Sequence, residues 1–168
     1  MEQEPYSIIF SSATGNTKLL AETIHNTLPQ EGCAYFGPWN REIPTSPTVY
    51  VGFWTDKGNA DQSTLALLGQ LRNKKVFLFG TAGFGESPAY FEKVLGAVRS
   101  ALDDSNQLLG EYMYQGKMPQ AVKDRYLRMK AQPEHPQNLD ALIANFDHAL
   151  SHPDKEDLEK LGQMVQGV

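Results

Sequence analysis

SSATGNT, residues 11–17, stands directly between the apolar run YSIIF (6–10) and the amphipathic run KLLAETIHNTL (18–28). A strand, a short polar loop and a helix therefore follow one another without slack. The loop carries the hydroxyls of Ser11, Ser12, Thr14 and Thr17, the amide of Asn16 and a single glycine, with no charge before Lys18. Thr14, Asn16 and Thr17 can donate from their side chains, and Gly15 lets the backbone turn its N–H groups inward. A helix beginning near Thr17 adds unpaired N–H groups and the positive end of its dipole. Together these describe an anion pocket suited to a phosphate monoester. The same residue types also build ordinary capped turns, so the loop's composition leaves both readings open. A P-loop is excluded, because the spacing G-x-x-x-x-G-K-[ST] occurs nowhere in the chain. A phosphate-accepting receiver domain is excluded too: it would carry acidic residues where this chain has Ser11 and Ser12.

Beyond the loop, short apolar runs alternate with helical periods. YSIIF, TVYVGFW (48–54), KKVFLFG (74–80) and QLLGEYMY (107–114) are rich in β-branched and aromatic residues and bounded by turn formers, as buried strands are. CAYFG (33–37) is a weaker strand candidate. Between them Leu19, Leu20, Ile24 and Leu28 mark one helix, Leu65, Leu68 and Leu71 a second, and Phe91, Val94, Leu95, Val98 and Leu102 a third. Ser87 as N-cap and Pro88 in the first turn predict the start of that third helix. Strict strand–helix alternation predicts right-handed crossovers and a parallel sheet covered on both faces. After Tyr114 the pattern becomes helical, with a basic helix between Pro119 and Pro133 and two further helices in NLDALIANFDHAL and DKEDLEKLGQMV. The expectation is one domain over residues 1–168, with an α/β core over about 5–115 and a helical wrap over about 116–168.

Bulk properties agree with a globular domain. A chain of 168 residues can bury roughly two-thirds of its unfolded surface without disulfide staples. A net charge of −5 without a basic stripe argues against nucleic acid as a partner. The single cysteine, Cys33, excludes an internal disulfide framework and suits a reducing cytoplasm. MEQEPYS lacks the features of a signal peptide. No apolar run approaches the ~20 residues that span a bilayer, so no membrane is expected.

Two further loops should emerge on the same sheet edge as SSATGNT. One follows the third strand in FWTDKGNAD, and the other the fourth in GTAGFGESPAY. GTAGFG has the order G-x-x-G-x-G and does not follow the first strand, so it is not a dinucleotide fingerprint. Both loops place an aromatic residue beside flexible backbone: Trp54 before Gly58, and Phe84 between Gly83 and Gly85. Each alone reads as a half-buried core aromatic. Beside an anion loop, the pair outlines a pocket for a flat ring attached to a phosphate.

SATGNT resembles the [ST]-x-T-G-N-T phosphate loop of the flavodoxins. The resemblance implies a flavodoxin-like doubly wound five-stranded parallel sheet of order 2-1-3-4-5, with FMN as cofactor. It implies that Ser12, Thr14, Gly15, Asn16 and Thr17 hold the FMN phosphate, while Lys18 faces solvent. Trp54 and Phe84 would flank the flavin ring, Trp54 either stacking or only lining the pocket. Thr55, Lys57 and Gly58 would reach the flavin edge, Gly58 also being readable as a plain tight turn. Thr81, Ala82, Gly83 and Gly85 would complete the site. In the C-terminal third, YQGKMP, RYLRM, NFDHALSHPD and EDLEKL resemble flavodoxin-family proteins of the BilS type, associated with bacterial bilirubin reduction. That subgroup often carries Cys where this chain has Tyr114, so no role for a thiol transfers.

The implied function is electron transfer from a donor to a partner reductase, with a bilirubin reductase as one candidate recipient. An FMN-dependent NAD(P)H:quinone-type oxidoreductase is the alternative, and monomer and homodimer both stay open. No catalytic constellation of His, Cys and carboxylates stands out. His25, His135, His148 and His152 read as surface or capping residues without metal-ligand spacing to cysteine. Lys117, Lys123, Arg125, Arg128 and Lys130 read as a solvated helix face, with docking of an acidic partner as the sharper reading.

Overall fold

A computed structural model describes residues 4–83 and 88–167. Its strands are β1 (Tyr6–Phe10), β2 (Cys33–Gly37), β3 (Thr48–Asp56), β4 (Asn59–Ala60), β5 (Lys75–Ala82) and β6 (Gln107–Gln115). The helices are α1 (Asn16–Thr27), α2 (Gln62–Leu68), α3 (Pro88–Arg99), α4 (Gln120–Lys130), α5 (Leu139–Ala149) and α6 (Lys155–Gln166). Five strands pair in parallel in the order β2-β1-β3-β5-β6. Counting parallel strands only, this is the expected 2-1-3-4-5 order, and the chain reverses direction across the sheet between β1 and β3.

The strand sequences show why the sheet is buried on both sides. Along β5, Val76 and Leu78 enter one cluster and Phe77 and Phe79 the other, all at 0% exposure, as a period of two requires. One layer holds Leu67 and Leu68 of α2 and Val94, Leu95 and Val98 of α3. The opposite layer holds Leu20, Ala21 and Ile24 of α1 together with Leu161 and Val165 of α6. Within the segment expected to wrap the core, α6 is therefore part of it, while α4 and α5 form the insertion between β6 and α6. The weak strand signal of CAYFG has a cause: β2 pairs only with β1, at a sheet edge, and most of its residues are half-exposed.

β4 is an addition that the sequence reading did not contain. Its two residues pair antiparallel with the end of β3, Thr55 opposite Ala60 and Asp56 opposite Asn59. Lys57 and Gly58 between them have φ of 53° and 80°, the two left-handed positions of a tight two-residue hairpin. The basic face of α4 is partly tied down. Lys123 and Lys130 reach Asp147 and Asp140 of α5 at 2.7 and 2.6 Å, which leaves less of that face for docking. The expected N-cap Ser87 lies outside the described residues. No helix among the described residues is long and apolar enough to cross a membrane.

Candidate functional site

The carboxyl ends of the parallel strands meet at one edge, and the first loop is held there by its own atoms. Gly15 takes φ +89°, which a residue with a Cβ rarely adopts. The Ser12 hydroxyl accepts from the N–H groups of Gly15 and Lys18 at 3.1 and 3.3 Å, closing the loop over the start of α1. Asn16, 7% exposed, donates through Nδ2 to Thr14 Oγ1 at 2.8 Å and to the Lys117 carbonyl at 2.7 Å. Thr17, 1% exposed, donates its hydroxyl to the Phe53 carbonyl at 2.9 Å and lies 3.1 Å from Thr81 Oγ1. Thr55 donates to the Thr81 carbonyl at 2.8 Å. Three threonines thus tie the ends of β3 and β5 to the start of α1.

Asp61 anchors the next wall. It caps α2 by accepting from the Thr64 N–H, and its Oδ1 also lies within reach of the Trp54 N–H at 3.4 Å. The Asp61 N–H in turn donates to the Trp54 carbonyl. Trp54 is consequently fixed from both sides of its peptide, with its half-buried side chain at the cleft. Gly83 closes the far wall. Its carbonyl accepts from Gln115 Nε2 and Asn145 Nδ2, at 3.1 and 3.0 Å.

Between these walls lies a cleft of about 300 Å³, lined by the first loop (Thr14, Asn16), the strand ends (Trp54, Thr55, Thr81, Gly83) and residues 117–119. Met118 packs against Gly83, where a β-carbon would stand 2.6 Å from Met118 Cγ. The backbone N–H groups of Asn16 and Thr17 at the start of α1 have no intrahelical partner by geometry, and Lys117 lines the cleft beside that loop. Such a set, next to a tryptophan-walled slot, fits a phosphate joined to a flat ring.

The Flavodoxin domain family matches residues 7–166. The chain belongs to the flavodoxin family. Two relatives are flavodoxin-like domain-containing proteins BilS. The one from Clostridium symbiosum is 39% identical, covering 91% of this chain and 90% of its own length. The one from Clostridioides difficile is 30% identical, covering 96% and 94%. Among solved structures, a short-chain flavodoxin associated with a bacterial microcompartment superposes with a TM-score of 0.58 at 13% identity, over 98% of this chain and 96% of its own. A flavoprotein from Lactobacillus acidophilus in complex with FMN superposes with a TM-score of 0.53 at 14% identity, over 66% and 93%. At such identities the superpositions establish the fold.

In this flavodoxin the residues singled out from sequence divide into groups. Thr14, Asn16, Trp54, Thr55, Thr81, Ala82 and Gly83 line the cleft together. Ser12, Gly15 and Thr17 belong to the same loop and helix start but are not among the residues that line this cleft. Lys57 and Gly58 form the β3–β4 turn and are not among the cleft-lining residues. Phe84 and Gly85 lie outside the described residues. The side chains of Asn16 and Thr17 also donate within the chain, Asn16 to Thr14 Oγ1 and the Lys117 carbonyl and Thr17 to the Phe53 carbonyl.

Sequence reasoning missed Lys117, Met118 and Pro119 as a wall, and Gln115 and Asn145 as the props of Gly83. A signal existed for the first three. They follow the carboxyl end of the last parallel strand, which must open on the same edge as the other strand ends.

Proposed function

We propose that this protein binds FMN in the cleft and carries electrons between a donor and a partner reductase. The observation that carries the reading is the TGNT loop, closed over the start of α1, beside a slot walled by Trp54. FMN, when bound, supplies reversible one- and two-electron chemistry. The chain's residues then have defined tasks. The backbone N–H groups at the start of α1 hold the phosphate with the helix dipole behind them. Asn16 locks that loop to Lys117, and the Thr17, Thr55 and Thr81 hydroxyls hold the neighbouring strand ends at fixed spacing. Trp54 and Met118 cover apolar ring surface and exclude water. The likeness to the two BilS proteins supports a reductase as the recipient, and a bilirubin reductase is the first to try.

The test is to purify the protein with FMN, titrate its absorbance and fluorescence, and then reduce it slowly. Bound flavin reduced in two resolved one-electron steps is the expected result. Reduction in a single two-electron step, with NAD(P)H oxidised steadily without a partner protein, would move the protein to the quinone-reductase class. No uptake at micromolar FMN would overturn the reading.

A further inference from the structure

A second cavity, of about 630 Å³, opens beside the C-terminal end of β6 and shares no lining residue with the cofactor cleft of about 300 Å³. The two meet at the hydrogen bond from Gln115 to the Gly83 carbonyl.

One side of the second cavity is aromatic. The rings of Phe91 and Tyr114 lie 6.3 Å apart at 44°, and Tyr114 packs on His152 at 5.4 Å. Burial, reinforced by the nearby Asp157 carboxylate, holds the Tyr114 phenol above its ordinary pKa, so this face presents a neutral ring. The other side is acidic. Asp154, Glu156 and Asp157 at the start of α6 line it, and the basic side chains among its described lining residues are the imidazoles of His148 and His152. Asp154 and Asp157 serve the capping box of α6, and His152 Nδ1 lies 2.7 Å from Asp157. Glu156, whose side chain is 75% exposed, lies 3.6 Å from Lys160.

The deciding feature is Gln115. The residue is 1% exposed, and both amide hydrogens are committed, to the Gly83 carbonyl and to Asn145 Oδ1 at 3.1 and 2.9 Å. The amide cannot be turned over, because Oε1 would then face the Gly83 carbonyl, which only accepts. Oε1 is left buried with no partner. A buried acceptor without a donor is destabilising, and a ligand whose entry shifts the side chains that close Oε1 off from solvent, and brings it a donor, gains affinity from that deficit.

We propose that this cavity is a second binding site, for an aromatic amine: a flat ring whose N–H donates to Gln115 Oε1 and whose ammonium lies among the α6 carboxylates. Apolar contact with Phe91 and Tyr114 supplies the ring's binding surface, and the two rings also attract the cation. The site does not rest on the FMN reading and fills independently of the cleft.

Tryptamine is the probe, titrated calorimetrically and by amide NMR shifts into the full chain with and without FMN. Saturable binding is expected in both forms, with shifts centred on Phe91, Met113 and Gln115 rather than on residues 14–18. Indole-3-acetate, with the charge reversed, should bind at least tenfold more weakly. The ring-methylated 1-methyltryptamine, which has no ring N–H, should bind roughly two- to tenfold more weakly. Glu156→Gln, an exposed substitution, should weaken tryptamine roughly two- to fivefold, and Phe91→Ala should weaken it further if the variant folds. Equal binding of indole-3-acetate, shifts centred on the cofactor loop, or no binding at millimolar tryptamine would each overturn the proposal. Flavin uptake, read separately by absorbance, distinguishes any of these from a failure of the FMN reading.

Discussion

The side-chain amide of Asn16 donates to the Lys117 carbonyl across 2.7 Å, joining the TGNT loop to a segment 101 residues away. Gly116 makes this approach possible, since a β-carbon there would stand 2.5 Å from Asn16 Nδ2. Asn16→Ala leaves Thr14 and Lys117 without their donor and frees the loop. FMN affinity, read by fluorescence quenching, should fall about tenfold, and unfolding free energy by about 1–2 kcal/mol. Gly116→Ala should act in the same direction by displacing Asn16. Unchanged affinity in both variants would show that the loop is shaped without this contact.

Gly80 sits in the core against a rigid neighbour. A β-carbon there would lie 2.3–2.5 Å from the ring atoms of Phe53, which is itself 0% exposed. Gly80→Ala should destabilise the fold by about 1–3 kcal/mol in urea unfolding. Combining it with Phe53→Leu should recover part of that loss, whereas simple additivity of the two substitutions would contradict the steric explanation.

Asp61 serves the helix and the cleft at once. Removing it as Asp61→Ala takes the cap from α2, worth about 1–2 kcal/mol, and releases the Trp54 N–H that lies 3.4 Å from its carboxylate. In a Trp39→Phe background the emission of Trp54 should shift to longer wavelength, and FMN should bind more weakly. An unshifted emission would mean that the β3–β4 hairpin alone fixes the tryptophan.

Glu111 gives the fold a defined pH dependence. Burial pushes its pKa above the ordinary carboxylate value even though Arg99 lies 2.8 Å away and pulls it down. The folded state thus binds this proton more tightly than the unfolded state. The stabilisation is complete below the ordinary glutamate pKa of about 4.3 and is lost as pH rises through the folded value. Glu111→Gln, which still accepts from Arg99, should match the wild type at about pH 4 and gain relative stability toward about pH 7. Parallel stability profiles would show that Arg99 cancels the cost of burial.

Local chemistry alone determined a large part of this protein. The buried β1, β3 and β5 were legible because their apolar runs are continuous, and a parallel sheet covered on both faces followed from their alternation with helices, whereas its 2-1-3-4-5 order came from the family resemblance of the TGNT loop. The TGNT loop was legible because strand, turn glycine and helix start are adjacent in the chain. Strand β4 and the docking of α6 on α1's side of the sheet were not, since two residues carry no period and an amphipathic helix does not name its partner. The other half of the site was decided only in three dimensions. Lys117 facing Asn16, and Gln115 and Asn145 holding Gly83, are hydrogen bonds across 30 to 101 residues. No local pattern encodes them, because which carbonyl is left over at a strand end depends on how the sheet, α5 and α6 pack. For the same reason the sequence did not show that Asn16 and Thr17 also donate to the chain's own backbone, at Lys117 and Phe53.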